Sequence, residues 1–346
     1  GKWIHLNLAN LHICQGALDA ALIEINKASL MSDNQKYVLS GGRFVAQSDF
    51  KNDAKGEYVL LGDIALYQGD LKKAKEYYDF YAQQKSLSAQ QYYSWLLAYV
   101  NTHEGKYKSF LQRVRSSLDS RSEQDNERRK MYQYGYLSRF YMTAGNAQQS
   151  LIESKKGQAL AIKTDFLWGQ QTMMAHKGIA YAGLGQFEQA EATAAALLNS
   201  LDSSVYKPRK CHYFLLLGYI DYFKGNYDQA ITSVKKSIDL NYPNGMLLCE
   251  SLNLLADLYV KTEQLDMAQH YYERIISLTT GKKFLGDIAT PAHYKLAQVY
   301  EQKGWEGKAI EQYKKFAELW QDCDPELRYM VEEAKERIRT LETSST

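Results

Sequence analysis

The chain has 346 residues, a formal net charge of +2 and a hydrophobic fraction of 45%. This near-neutral balance argues against a nucleic-acid-binding protein that works mainly through phosphate attraction. No apolar run approaches the roughly 18 residues of a membrane span, so no direct membrane insertion is predicted. Proline is scarce, with four residues, and tyrosine is abundant, with 28 residues, which indicates a mostly helical chain rich in aromatic side chains.

The four cysteines predict no metal site and no disulfide framework. They are Cys14, Cys211, Cys249 and Cys323, and no two of them have the spacing of metal ligands or of a C-x-x-C pair. We therefore expect free, largely buried thiols, which suits a reducing compartment. Gly1 stands inside a helical pattern in place of an initiator methionine, so we expect a fragment that lacks an upstream domain or targeting signal.

One stretch, residues 213–243, shows the repeating unit of the chain. It predicts two amphipathic helices that are joined by a turn at Gly225 and closed by Pro243. Glycine suits this turn because the residue that follows a helix often needs a positive φ. Gly218 and Ala230 are small, and small residues let the two helices approach each other closely.

The same pattern recurs along the chain at intervals of about 40 residues. The aligned turn positions are Gly16, Gly69, Gly105, Gly145, Gly185, Gly225, Glu263 and Gly304. Each turn has a small residue seven positions earlier, and six of the eight have Ala five positions later. The pattern predicts eight helical hairpins, near residues 2–36, 55–88, 91–124, 131–164, 171–204, 211–244, 249–282 and 290–323.

The segments between and after these hairpins have their own signals. The first interval is longer than the others and leaves an insertion at residues 39–56, which we interpret as a long joint or as the boundary of a one-repeat cap. Loops are predicted at residues 120–126, 201–208, 241–245 and 279–286. Asp324-Pro325-Glu326 predicts a helix start with Asp324 as its cap, so residues 324–342 form a capping helix.

These residues resemble the tetratricopeptide repeat family over nearly the whole chain. The resemblance implies an all-α, right-handed α-solenoid of about eight hairpins that forms one superhelix over residues 1–346. The stretch from His293 to Ile338 also looks like the end of many large bacterial signalling proteins. Those proteins join such repeats to serine/threonine kinase or winged-helix DNA-binding domains.

In that family the first helix of each hairpin lines the concave face. The resemblance therefore implies a binding groove that is aromatic at its centre and acidic toward its C-terminal end. Tyrosine suits such a groove because it combines a large contact area with a polar tip. The candidate partner-binding residues are Tyr92, Trp95, Tyr99, Tyr132, Arg139, His212, Tyr219, Tyr222, Asn253 and Asp257.

No motif supports catalysis, a cofactor or a metal. The chain has no G-x-S-x-G elbow, phosphate-binding loop, H-E-x-x-H pair or kinase signature. Basic clusters occur at residues 128–130 and at 207, 209 and 210, and solvated loops explain them better than a phosphate site does. The Lys/Asn/Arg clamp of chaperone-binding members is absent, because its slots hold Asp63, Leu96 and Tyr132 among others.

The sequence therefore predicts a non-catalytic interaction module that binds a peptide or a partner protein in its concave face. It would belong to a bacterial signalling or regulatory protein in the cytoplasm, or in the periplasm if that protein is membrane-anchored. The alternative is a peptide-sensing domain that controls an attached or associated output domain. No nucleic acid partner is predicted, and a homo-oligomer is compatible with the sequence.

Overall fold

The structure is a computed structural model that describes residues 2–30, 39–40, 43–44, 56–83, 87–119, 126–202, 207–240 and 246–344. Regular structure in these ranges is helical, apart from two short antiparallel strands, β1 (Leu39–Ser40) and β2 (Arg43–Phe44). These strands lie in the predicted insertion, of which residues 41–42 and 45–55 are outside the described ranges. None of the helices in the described ranges combines the length and the apolar character needed to span a membrane.

The helices follow in chain order. They are α1 (Lys2–Cys14), α2 (Leu18–Ser29), α3 (Gly56–Tyr67), α4 (Leu71–Ala82), α5 (Leu87–His103), α6 (Tyr107–Asp119), α7 (Asn126–Thr143), α8 (Ala147–Lys163), α9 (Leu167–Gly183), α10 (Phe187–Asp202), α11 (Cys211–Lys224), α12 (Tyr227–Leu240), α13 (Met246–Lys261), α14 (Leu265–Ser277), α15 (Thr280–Lys283), α16 (Gly286–Gln302), α17 (Glu306–Leu319) and α18 (Arg328–Ser344). Two 3-10 helices, Lys207–Lys210 and Pro325–Leu327, precede α11 and α18.

The turns of the hairpins have the predicted backbone conformation. All seven aligned glycines have a positive φ, between 68° and 81°. Gly225 ends α11 with φ 81°, and its N–H bonds to the carbonyls of Asp221 and Tyr222. Glu263 occupies the same turn position with φ 56°, although it is not glycine. The all-α class and the hairpin register are therefore confirmed.

The described residues form two compact units. Unit 1 comprises residues 1–113, 275–297 and 306–346, and unit 2 comprises residues 114–274 and 298–305. Helices α6, α14 and α16 each contribute residues to both units. A single superhelix over the whole chain stays a prediction.

Unit 2 is a stack of consecutive antiparallel hairpins, which is the arrangement of an α-solenoid. Helix α8 packs against both α7 and α9, α10 packs against α9 and α11, and α12 packs against α11 and α13. The small packing residues are fully buried, as at Gly178, Gly218 and Ala230, because larger residues there would separate the helices. A Cβ added at Gly218 would lie 2.4 Å from Val234 Cγ2 of the neighbouring helix.

Unit 1 has a continuous hydrophobic core. Ile64, Tyr78 and Leu96 are buried in it and belong to α3, α4 and α5. The loop predicted at residues 279–286 is wrong, because Thr280–Lys283 forms α15, which packs against α3. The side chains of Lys282 and Lys283 contact residues of α3, and a local sequence pattern does not predict contacts between segments so far apart in the chain.

The cap is formed by α18, but Asp324 has a different role from the predicted one. Its side chain makes no capping bond to the helix that follows it. Its Oδ2 instead accepts a hydrogen bond of 2.8 Å from the backbone N–H of Lys108, in the first turn of α6. Asp324 N also donates to the Gly105 carbonyl at 3.0 Å. The carboxylate therefore caps a helix that is distant in sequence, where it interacts favourably with the positive end of the helix dipole.

Candidate functional site

The first helices of the hairpins form one continuous layer in unit 2. Helix α7 packs against α9, α9 against α11, and α11 against α13. We call these four helices the inner layer. Residues spaced by three, four or seven positions share a helix face, so each helix contributes one row of side chains to the layer.

Two histidines and one arginine interact with one another in the inner layer, on the three successive helices α7, α9 and α11. Arg139 on α7 is only 6% exposed. Burial and the charge of Arg139 lower the pKa of His176 on α9 to about 4. Burial, together with Arg209 and His176, lowers the pKa of His212 on α11 to about 3. Both histidines are therefore neutral at pH 7, and each ring has one donor and one acceptor nitrogen.

The α13 side of the inner layer is acidic. Tyr219 on α11 donates a hydrogen bond of 3.4 Å to Glu250 Oε1, and Glu250 is buried. Asp257 accepts a hydrogen bond of 2.5 Å from Tyr272 and one of 3.3 Å from Asn253. Burial and the negative charges of Glu250 and Asp257 raise the pKa of Tyr219 well above its usual value, so its hydroxyl remains a donor.

This arrangement supplies charged and hydrogen-bonding groups on neighbouring helices. The groups include the buried Arg139 guanidinium, the carboxylates of Glu250 and Asp257, two neutral imidazoles and the Tyr219 hydroxyl. The Nδ1 atoms of His176 and His212 are buried and have no hydrogen-bonding partner among the described residues. A buried polar atom left without a partner costs about 1–3 kcal/mol. In the described part of the chain, no group of three or more His, Cys, Asp or Glu side chains could hold a metal ion.

The structure brings several predicted site residues together in unit 2. Arg139, His212, Tyr219, Asn253 and Asp257 all lie in the inner layer described above. His176 was missed, because the family register selects its neighbour at position 175 on α9. It sits one helical turn from Thr172, and only the packing of α9 between α7 and α11 reveals its position.

Two further predicted residues lie at the ends of this layer. Tyr132, near the start of α7, is 41% exposed and its ring makes an edge contact with Phe166 at 6.0 Å. Tyr222 is half-buried near the end of α11, where its ring centroid lies 6.3 Å from that of Tyr227. Both side chains therefore have part of their surface available for a ligand.

The other three predicted residues belong to α5 in unit 1. The Tyr92 ring packs edge-on against Tyr81 at 5.9 Å, and the Trp95 ring lies 5.8 Å from Tyr99. Tyr99 is buried, and its ring makes an edge contact of 4.9 Å with Phe284. A residue of the chain itself therefore contacts this aromatic cluster.

The segment around α15 makes more contacts with the same face of unit 1. Lys283 pairs with Asp63 on α3, and Lys282 Nζ donates to the Tyr67 carbonyl at 3.1 Å. His103 Nε2 lies 3.1 Å from the Lys282 carbonyl. Burial lowers the pKa of His103 to about 4, so the ring is neutral and donates its N–H to that carbonyl. In unit 1 the chain's own residues thus cover the predicted binding face of α3 and α5.

Unit 1 also contains a cavity of about 580 Å³ between α4 and α17. Its lining includes four lysines and four acidic residues, so its formal charges cancel. Several of them pair with each other, as Lys75 with Glu104 at 2.5 Å and Lys315 with Glu318 at 3.1 Å. This balance selects neither an anionic nor a cationic ligand.

Comparison with known proteins supports the repeat assignment. The tetratricopeptide repeat model matches residues 58–79, 212–244, 250–280 and 290–322. These segments cover most of the hairpins α3–α4, α11–α12, α13–α14 and α16–α17, and together they make up about a third of the chain. The finer resemblance, to the C-terminal arrays of kinases and winged-helix regulators, stays a prediction. No curated protein matches the chain significantly.

Solved structures align with the chain at low similarity. A tetratricopeptide repeat protein from Parabacteroides merdae is 16% identical, with 83% of this chain and 98% of that one covered and a TM-score of 0.41. A Rap protein complexed with competence and sporulation factor is 12% identical, with coverages of 99% and 97% and a TM-score of 0.47. YrrB, described as having an unusual peptide-binding site, is 16% identical, with coverages of 59% and 91% and a TM-score of 0.36. At these values, the ligands of those proteins carry no argument for this chain.

Proposed function

We propose that this protein is a non-catalytic interaction module whose inner layer in unit 2 binds a polypeptide segment of a partner. The observation that supports this most directly is that His176 and His212, which lie on two packed helices and are both partly exposed, have rings with an unpartnered nitrogen among the described residues. Packing alone does not require polar atoms there, whereas a bound peptide backbone offers both N–H donors and C=O acceptors.

The charges around these histidines fit the same proposal. Arg139 on α7 offers a donor for a carboxylate or a carbonyl, and Glu250 and Asp257 on α13 offer acceptors for N–H groups or a cationic side chain. Tyr132 and Tyr222 add aromatic surface, which contributes binding energy at a low entropic cost. The inner layer thus combines the polar and apolar groups that recognise a peptide.

Selection of peptides from a displayed random library on the full chain tests this function. We expect enriched peptides whose affinity, measured by fluorescence anisotropy, falls about thirtyfold in the His176→Leu/His212→Leu double variant, since two polar contacts of about 1 kcal/mol each are lost. The matched control is His270→Leu, because His270 is exposed on the second helix α14 of the same unit.

Two outcomes would contradict the proposal. One is that no peptide is enriched on the chain relative to blank beads. The other is that enriched peptides bind the double variant and the parent equally well. Far-ultraviolet circular dichroism of both variants separates a loss of binding from a loss of folding.

The proposed biological setting is a bacterial signalling or regulatory protein, as the C-terminal resemblance suggests. In the alternative function, the bound peptide would control an attached or associated output domain. The contacts of the α15 segment with Asp63, Tyr99 and His103 favour a regulatory element of this kind, because an internal segment already covers part of the predicted binding face. Hydrogen exchange of residues 279–290 with and without a selected peptide would distinguish the two functions. Only the regulatory function predicts a change in the hydrogen exchange of these residues.

A further inference from the structure

One arginine from each of two basic clusters that are far apart in sequence lies against the start of α9, at one edge of the inner layer. Arg128 lies in the first turn of α7, and Arg209 lies in the 3-10 helix before α11. The Cζ of Arg128 is 4.9 Å from the ring centroid of Phe166, and the Cζ of Arg209 is 4.9 Å from that of Trp168. We call these four residues and Tyr132 the arginine–aromatic surface. The sequence placed both basic clusters in loops, but both lie in helical turns.

This surface exposes large aromatic side chains. Trp168 is 47% exposed and Tyr132 is 41% exposed, and Leu167 between the two stacked rings is 45% exposed. Isolated exposed apolar residues are common, but a contiguous group beside arginines has the composition of an interaction hot spot. Trp, Tyr and Arg are the residue types enriched at such spots.

The surface is also preorganised. Arg209 Nε donates to Gln171 Oε1 at 2.9 Å, and its Nη2 donates to the Trp168 carbonyl at 2.8 Å. Gln171 is fully buried and is held in turn by its own bond to the Ser200 carbonyl at 3.1 Å. The Arg209 side chain therefore loses little conformational entropy when a ligand binds beside it.

The charge of this region selects the chemistry of the partner. Among residues whose side chains are described, the two basic clusters and the helix ends beside them contain six basic residues and three acidic ones, an excess of three positive charges, whereas the whole chain carries only +2. Two of the acidic residues already form ion pairs, Glu127 with Lys163 and Asp202 with Lys210. The basic residues are Arg128, Arg129, Lys130, Lys163, Arg209 and Lys210, and the acidic ones are Glu127, Asp165 and Asp202.

We propose that the arginine–aromatic surface selects an acidic peptide segment that carries an aromatic or aliphatic side chain. The exposed guanidinium of Arg128 receives a carboxylate, as planar donors favour carboxylate geometry. The apolar side chain of the segment packs on Trp168 and Tyr132. This inference rests on the proposed function, since Tyr132 and Arg139 lie on one face of α7 and the segment would continue into the inner layer.

The test uses the full chain and two fluorescein-labelled synthetic peptides. One alternates Glu with Phe, and the other carries Gln in place of every Glu. We expect the Glu peptide to bind at least about tenfold more tightly than the Gln peptide at low salt, with the difference shrinking as added salt screens the charges. Arg128→Gln should weaken the Glu peptide about fivefold, whereas Arg339→Gln, the same change on the exposed face of α18, should leave it unchanged.

Each other outcome has a definite meaning. Equal binding of the two peptides, or failure of the Glu peptide on a chain that binds library-selected peptides, would overturn acidic selectivity and leave the proposed function intact. A further outcome is that an oligothymidylate displaces the labelled Glu peptide at a lower concentration than the unlabelled Glu peptide does. That result would overturn acidic-peptide selectivity in favour of a phosphate-binding surface. Absence of binding by any peptide, including those from the library, would instead contradict the proposed function.

Discussion

Lys283 Nζ lies 2.6 Å from Asp63 Oδ1, and the two side chains are almost fully buried although 220 positions separate them in the chain. Tyr78 also donates a hydrogen bond of 2.7 Å to Asp63. A buried ion pair needs this kind of additional hydrogen bond to offset the loss of hydration. The pair holds the α15 segment against α3 within unit 1.

Asp63→Asn should destabilise unit 1, because it leaves the Lys283 ammonium buried without its counter-charge. We expect the free energy of unfolding in urea to fall by about 3–5 kcal/mol. The matched control is Lys314→Met, which removes an exposed pair with Glu342 and should change stability by about 1 kcal/mol or less. If the Asp63→Asn/Lys283→Met double variant were no more stable than Asp63→Asn, the uncompensated charge would not be the cause.

Gly286, at the start of α16, should not tolerate a side chain. A Cβ there would lie 2.3 Å from His103 N and 2.6 Å from Thr102 C, which are backbone atoms that cannot rotate away. We expect Gly286→Ala to lower the thermal midpoint, with a loss of about 1–3 kcal/mol. Gly307→Ala in α17 is the control, because nothing lies within 4 Å of its Cβ position. It should raise stability by about 0.4–1 kcal/mol through the unfolded chain. Equal effects of the two variants would refute the close approach.

Replacing Glu263 with glycine, the residue at the other seven aligned turn positions, should stabilise the protein. The φ of 56° at Glu263 lies in the left-handed region, where a side chain costs roughly 1–2 kcal/mol and glycine costs little. We expect Glu263→Gly to raise the free energy of unfolding by about 0.5–1 kcal/mol, after the larger entropy of unfolded glycine is taken into account. Ala195→Gly, at an exposed position inside α10, should lower it by about 1 kcal/mol. A loss of stability at both positions would mean that the turn is not strained.

Lowering the pH should reduce the free energy of unfolding, because the neutral histidines of the inner layer resist protonation in the folded state. The folded pKa of His212 is about 3, below the value of about 6.5 in an unfolded chain. The unfolded state therefore binds the proton first as the pH falls. The contribution of neutral His212 to the free energy of unfolding is complete above about pH 6.5. It is lost as the pH falls toward the folded pKa, by about 2 kcal/mol between pH 7 and pH 5. His212→Asn should flatten this dependence in urea titrations, while Ala195→Asn, an exposed change in α10 that removes no titratable group, should keep the parental slope. Identical slopes in all three proteins would exclude the effect.

Local sequence predicted the hairpins well because their determinants are local. Turn glycines and small packing residues act within one hairpin, so their spacing is visible in the chain. Asp165 shows the limit of this reasoning, because it has a positive φ of 47° and forms the tight turn between α8 and α9. The sequence pattern assigned that turn to no hairpin, since Asp is not a reliable marker of the left-handed conformation.

The contacts that the sequence did not predict are long-range. The capping of α6 by Asp324 and the docking of α15 on α3 depend on residues more than 200 positions apart. His176 is a shorter-range case, because its surroundings come from α7 and α11, the two helices that pack on either side of α9. The partner-binding role of all ten predicted residues, from Tyr92 to Asp257, stays a prediction.

The long-range closure of unit 1 has a consequence for synthesis on the ribosome. Residues 56–113 emerge well before residues 275–346, so α3 and α5 exist for many seconds without Lys283 and Phe284, since elongation adds about 5–20 residues per second. During that interval Asp63, Tyr99 and the first turn of α6 are exposed to other molecules. A nascent chain of this protein therefore presents a surface that the finished chain conceals, and its last hairpin completes a fold begun by its earlier ones.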